Sequence, residues 1–308
     1  MRKKQRLKEL TIKDNFMFGA VMINEDNCKG LLERVLEIPI ERVDVSKEKS
    51  MVYHPEYKGV RLDVYAKDEK QTRYNVEMQV EKKPALGKRS CYYQSQMDME
   101  MLLAGEDYKE LPNTYVIFIC NFDPLEQKKC RYTIRRYCEE TGNVFGDGVC
   151  TVFLNTNGEN REEVPKELTS LLDFVKADLA GSEADYGDAL VKQLQDSMRQ
   201  IKKSRKMGER YMMFEQYMKE YVQEHADEIR EEAWAEGLAE GHAEGLQKGR
   251  AEGLQEGRAE GLQKGRAEAT TRLNKLYSCL LTSDRADDLQ RALKDPVYLK
   301  QLLQEFGF

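Results

Sequence analysis

Histidine is scarce in this chain and cysteine is scattered. Three histidines stand among 308 residues, at positions 54, 225 and 242. The seven cysteines, at 28, 91, 120, 130, 138, 150 and 279, are odd in number and contain no Cys-x-x-Cys pair. A zinc site is therefore not expected, and the thiols suit a reducing cytoplasm. Long apolar runs are also missing. Nothing approaches the roughly 20 residues that span a bilayer, and the basic start MRKKQRLKELT has no apolar stretch behind it. Neither a membrane span nor a secretion leader is expected, and the chain reads as a soluble cytoplasmic protein. Nor is there an excess of positive charge. A formal net charge of -6 argues against a protein that coats nucleic acid without specificity, although local basic patches can still bind phosphates. Three patches are present: Lys82, Lys83, Lys88 and Arg89; Lys128, Lys129, Arg131, Arg135 and Arg136; and Lys202, Lys203, Arg205 and Lys206. Each also suits an ordinary solvated surface.

What is present is a polar pattern on two short strands. Arg61-Leu62-Asp63-Val64-Tyr65 is followed by a charged turn, Lys67 to Lys70, and then by Asn75-Val76-Glu77-Met78-Gln79-Val80. Side chains alternate across a strand with period two. Leu62, Val64 and Ala66 are expected on one face, and Asp63 and Tyr65 on the other. Val76, Met78 and Val80 share the apolar side of the second strand, and Asn75, Glu77, Gln79 and Glu81 the polar side. If residues 66 and 74 pair, Asp63 stands opposite Glu77, with Cβ atoms roughly 5 Å apart. Two carboxylates that close repel unless a proton or cation lies between them. Mg²⁺ is typically held by one or two carboxylates, with water and phosphate completing its shell. The same spacing also describes a half-solvated antiparallel edge, and it decides nothing alone.

Around the hairpin the chain reads as α/β. Thr11 to Val35 is helical in pattern, with Asp14 either an N-cap or a third acidic ligand. Val43 to Val45 and the region of Met51 to Tyr53 read as a strand leading into the hairpin. Residues 88 to 104 read as a helix whose buried side carries Tyr92, Met97, Met101 and Leu102. Tyr115 to Cys120 is a continuous apolar run suited to a strand covered on both faces, with Cys120 a core thiol. Strand, helix and buried strand make a crossover with a parallel pair inside a mixed sheet. Arg131 to Tyr137 and Val149 to Leu154 add two strands. The domains expected are an α/β domain over 1–160, a helical linker region over 161–206, and a long helical arm with a terminal cap over 207–308.

The arm is repetitive. Gly recurs every four residues from 237 to 265, and Leu every eight at 238, 246, 254 and 262, in units close to GLQKGRAE. Glycine costs about 1 kcal/mol in a helix interior. The other residues are strong helix formers, no proline interrupts, and opposite charges pair at i,i+3 and i,i+4. The pattern predicts a helix from about Met207 to Leu281. It fits self-association through a glycine stripe, or a solvated helix with no partner. Leu280, Leu281, Leu289, Leu293, Leu299, Leu302 and Leu303 then predict a terminal helical hairpin.

Taken in order, five motifs carry a resemblance. They are Lys13-Asp14-Asn15-Phe16-Met17-Phe18, Arg61-Leu62-Asp63-Val64, Asn75-Val76-Glu77-Met78-Gln79, Arg89 with Tyr92-Tyr93, and Leu154-Asn155-Thr156-x-Gly158. The chain resembles the recombination-promoting nuclease/transposase family, within the PD-(D/E)XK nuclease superfamily, over roughly residues 8 to 160. The resemblance implies a restriction-endonuclease-like fold: a mixed central sheet flanked by helices, followed here by the long C-terminal helical arm. It implies a Mg²⁺-dependent endodeoxyribonuclease, Mn²⁺ also serving, that hydrolyses DNA and acts in recombination. Asp63 and Glu77 map onto the metal-binding acids, and Gln79 stands where the superfamily commonly has Lys. Gln brings no charge but can align the attacking water by hydrogen bonding; Lys82 or Lys83 are candidates to supply the charge. Asp14, Arg89 and Tyr92 are accessory or DNA-contacting candidates. A homo-oligomer through the C-terminal helix is expected. The alternatives are a non-cleaving DNA- or protein-binding module and a recombinase that joins strands as well as cutting them.

Overall fold

Local signals explain how the first elements start and stop. In the computed structural model, which describes residues 7–51, 60–83, 85–224, 226–283 and 285–308, α1 (Asn15–Met22) is capped by Asp14, whose Oδ1 accepts from the backbone N–H groups of Phe16 and Met17. Seven of its eight residues are buried, as expected of a helix that is apolar all round. α2 (Glu25–Leu36) is capped by Asn24, carries Glu25 and Asp26 in its first turn, and ends at Glu37 in the left-handed region.

The strands follow. β1 (Val43–Met51) is one continuous strand; the expected extension to Tyr53 lies outside the described residues. β2 (Val60–Asp68) and β3 (Arg73–Gln79) form the hairpin, α3 (Leu86–Met101) crosses over, and β4 (Thr114–Cys120), β5 (Arg131–Ile134) and β6 (Val149–Asn155) complete the sheet. The order is β1-β2-β3-β4-β6-β5. β3 to β4 and β4 to β6 are parallel, and the other pairs antiparallel. The hairpin turn is tighter than expected. β2 runs on to Asp68, whose carboxylate accepts from the N–H groups of Lys70 and Thr72 and from the Tyr74 hydroxyl.

β4 shows why the core has two sides. Ile117 and Ile119 pack with β3 residues Tyr74, Val76 and Met78 and with the helices α1 and α2. Val116, Phe118 and Cys120 pack on the other face with Leu86, Tyr93 and Met97 of α3. The β3 face carrying Asn75, Glu77 and Gln79 is thus covered, and is not a half-solvated edge. The apolar core also continues past residue 160. Leu168, Leu171, Leu172 and Val175 of α4 (Lys166–Lys176), and Leu190, Val191 and Leu194 of α5 (Ala189–Lys203), join the α1 side. Tyr211 of α6 (Arg205–Glu224) sits edge-on against Phe16 at 5.1 Å between ring centroids. A compact unit accordingly runs from Met1 to Ile229.

α7 (Ala226–Thr282) carries the repeat over 57 residues. A Cβ built on any of its repeat glycines meets nothing within 4 Å, and Leu238, Leu246, Leu254 and Leu262 are exposed. The second compact unit, Arg230 to Phe308, ends in α8 (Ala286–Ala292) and α9 (Pro296–Glu305). Leu276, Leu280, Ala292 and Leu302 form its core, flanked by Leu289, Leu299 and Leu303. Leu281 and Leu293, expected in that core, are 63% and 66% exposed. Among the described residues no helix is long and apolar enough to cross a membrane.

Candidate functional site

The hairpin register places the acids as the alternation requires. Lys67 pairs with Arg73, Ala66 with Tyr74, Tyr65 with Asn75 and Val64 with Val76. There the backbone ladder stops. At the next step the side chains take over: the Asp63 N–H donates to Glu77 Oε1 at 3.2 Å, and the Met78 N–H donates to Asp63 Oδ2 at 3.2 Å. β2 therefore parts from β3, and two carboxylates bridge the gap. One expectation fails at this point. Leu62 does not face with Val64 and Ala66 but packs on the α3 side with Tyr65 and Phe118. The change of face falls where the pairing of β2 with β3 ends at Val64, while β1 still pairs with Val64 and Leu62 on either side of it.

Arg89, in the first turns of α3, closes the arrangement. Its Nη2 donates to Glu77 Oε2 at 3.2 Å, its Nη1 to Gln79 Oε1 at 3.0 Å and its Nε to the Tyr93 hydroxyl at 2.7 Å. The guanidinium also lies over the Tyr93 ring, 5.0 Å from its centroid. Glu77 is 1% exposed. Burial, then the neighbouring charge of Asp63, push its carboxyl up to about 8, against the opposing pull of Arg89. Burial and the Glu77 charge likewise push the Tyr93 phenol up to about 12.

These groups open onto a cleft of about 1040 Å³. Asp63, Glu77, Gln79, Arg89 and Asp14 all line it. Asp14 is there as the cap of α1. Tyr92 does not line it; it packs partly buried on the α3-side core, and Tyr93, one residue and about 100° further round the helix, faces Arg89 instead. Lys83 lines the cleft, whereas Lys82 is engaged by Glu126 on the surface. Lys13 and, from α6, Phe214 and Met218 also line the cleft, the two α6 residues outside the motifs that carry the resemblance. The signal for α6 was available: Met207, Tyr211, Phe214 and Met218 recur at helical spacing, in a stretch read as arm.

The Leu154-Asn155-Thr156-x-Gly158 motif is a brace beside the site. Asn155 donates to the Lys129 carbonyl and Thr156 to the Asn121 side chain. The Asn121 N–H in turn donates to the Gln79 carbonyl at 2.9 Å. A Cβ on Gly158 would come within 2.5 Å of the Cys130 backbone, so only glycine fits.

The donor set suits a hard divalent cation. Two carboxylates converge, one is buried, and each raises the energy of the other's charge; a cation with oxygen ligands relieves that repulsion. Among the described residues no group of three or more His, Cys, Asp or Glu stands close enough together to hold a metal ion. Comparison with curated proteins and with solved structures returned no match. The family described as PD-(D/E)XK nuclease family transposase matches residues 15–231, which hold strands β1 to β6 and helices α1 to α6. With that span of sequence and the acids brought together at the parted hairpin, the chain belongs to the PD-(D/E)XK nuclease family transposases.

Proposed function

We propose that this protein is a divalent-metal-dependent endonuclease that hydrolyses phosphodiester bonds in DNA and serves DNA recombination. The observation that supports this reading most is the pairing of Asp63 with buried Glu77 in the mouth of the cleft. Those two side chains, with a main-chain carbonyl near Met78, would hold Mg²⁺ or Mn²⁺. The bound cation supplies a polarised phosphate and a water of lowered pKa. Gln79 addresses the reacting water or phosphate by hydrogen bonding, Arg89 holds Gln79 from the α3 side, and Lys13 and Lys83 add positive charge to the walls. Asp14 holds the α1 edge of the cleft in place.

The test is nicking of supercoiled DNA with Mg²⁺, Mn²⁺ or EDTA. Asp63→Asn and Glu77→Gln keep acceptor oxygens for the Met78 and Asp63 N–H groups while removing charge. Each is expected to lower cleavage by at least about 10²-fold with unchanged circular dichroism. Equal cleavage by all three proteins would reject the assignment.

A second reading has its own support. Arg89 already contacts Glu77 as an ion-pair partner, which suits a module that binds DNA without cutting it. DNA binding that survives EDTA, with no cleavage in either metal, would favour it. Self-association through α7 belongs to both readings. A strand-joining activity would show as recombinant products rather than nicks.

A further inference from the structure

Gln79 is the ambivalent member of the site. Its amide carries both a donor and an acceptor, so it could in principle offer either end to a ligand. Arg89 removes that freedom. A guanidinium has five N–H donors and no acceptor, so the Gln79 atom facing it has to be the carbonyl oxygen, as the 3.0 Å contact from Nη1 to Oε1 records. Arg89 is itself fixed by Glu77, the Tyr93 hydroxyl and the aromatic faces of Tyr93 and Phe118. The Gln79 backbone is fixed by its parallel pairing with Cys120 and by the Asn121 N–H. Both ends of the amide's lever are thus held. No acceptor among the described residues takes the Nε2 protons, and the residue lines the cleft with 7% exposure.

We infer that Arg89 locks Gln79 as a hydrogen-bond donor, and that the partner it addresses is an anionic phosphate oxygen of the substrate rather than the hydrogens of the attacking water. This deepens the nuclease reading and rests on it. A donor-only amide takes no proton from water. It stabilises charge that grows on a phosphoryl oxygen, a contribution worth roughly 10²-fold where one such donor is removed. Arg89 is then a positioning residue that acts through Gln79.

A set of variants tests this by separating kcat from KM, with Mn²⁺ titration calorimetry as a readout independent of cleavage. Gln79→Glu keeps an acceptor for Arg89 but offers no donor; it should lose roughly 10²-fold in kcat while still binding Mn²⁺. Arg89→Met, with Arg89→Lys as a second variant should the first fail to fold, should lower kcat by at least about tenfold without weakening Mn²⁺ binding. In a Gln79→Lys background, where the donor needs no steering, Arg89→Met should cost less than about threefold, since residues that act as a unit are non-additive. Wild-type kcat in Gln79→Glu, or an equal effect of Arg89→Met in both backgrounds, overturns the inference and leaves the nuclease intact. A wild type that binds Mn²⁺ but never cleaves overturns both.

Discussion

At the scale of single residues, Glu77 carries the tension of the site. Its carboxyl is raised from the ordinary 4.5 to about 8, first by burial and then by Asp63. The folded, metal-free protein therefore binds a proton that the unfolded chain releases near 4.5. Stability from this group is fully present below that pH and is lost as pH rises through the raised value of the folded protein. Denaturant titrations in EDTA at pH 5 and pH 8 should show the fall, and Glu77→Gln should flatten it. A wild type equally stable at both, against the same flat variant, would contradict the buried-acid description. The pairing of Asp63 with Glu77 was legible in the sequence as the consequence of one register, Ala66 with Tyr74, which the structure supplies. Arg89's grip on Gln79 was not, since a helix and a strand ten residues apart meet only through tertiary contact. Tyr93 was passed over for Tyr92 for a related reason: adjacent helical positions differ by about 100°, and apolar spacing cannot tell which one the sheet will meet.

At the scale of elements, α7 sets two physical expectations against each other. Every repeat glycine has open space where a Cβ would go. In a solvated helix, replacing one by Ala should stabilise it by about 1 kcal/mol. In an assembly where a second backbone lies against the stripe, the same change should weaken association. Gly245→Ala and Gly253→Ala together should therefore raise helicity by circular dichroism; light scattering on the same variant decides whether mass falls. The repeat itself limits what a seam can look like. A four-residue step advances about 40° per glycine on a straight helix, and an eight-residue step about 80° per leucine. A partner would have to wind around α7 with a right-handed sense. The repeat and the helix were legible because composition and period agree. The inner limit was not: the pattern begins the arm at Met207, yet Tyr211 is buried against Phe16, with Phe214 beside it.

At the scale of the whole molecule, the family match and the first compact unit end together, at residues 231 and 229. A chain stopped after Glu231 should keep its cooperative unfolding and any cleavage activity. A chain stopped after Lys206 should lose Tyr211 and Phe214 from the α1 face, at a cost of about 3 kcal/mol or more, and melt several degrees lower. Equal melting temperatures would mean that α6 contributes nothing to the core. The parted hairpin has one more consequence. The amide protons of Asp63 and Met78 are held by one oxygen each of the two carboxylates that would hold a cation. A cation drawn to those carboxylates would change how firmly they hold the two N–H groups, so hydrogen exchange at these peptide groups would serve as a built-in gauge of ion occupancy, readable with no substrate at all.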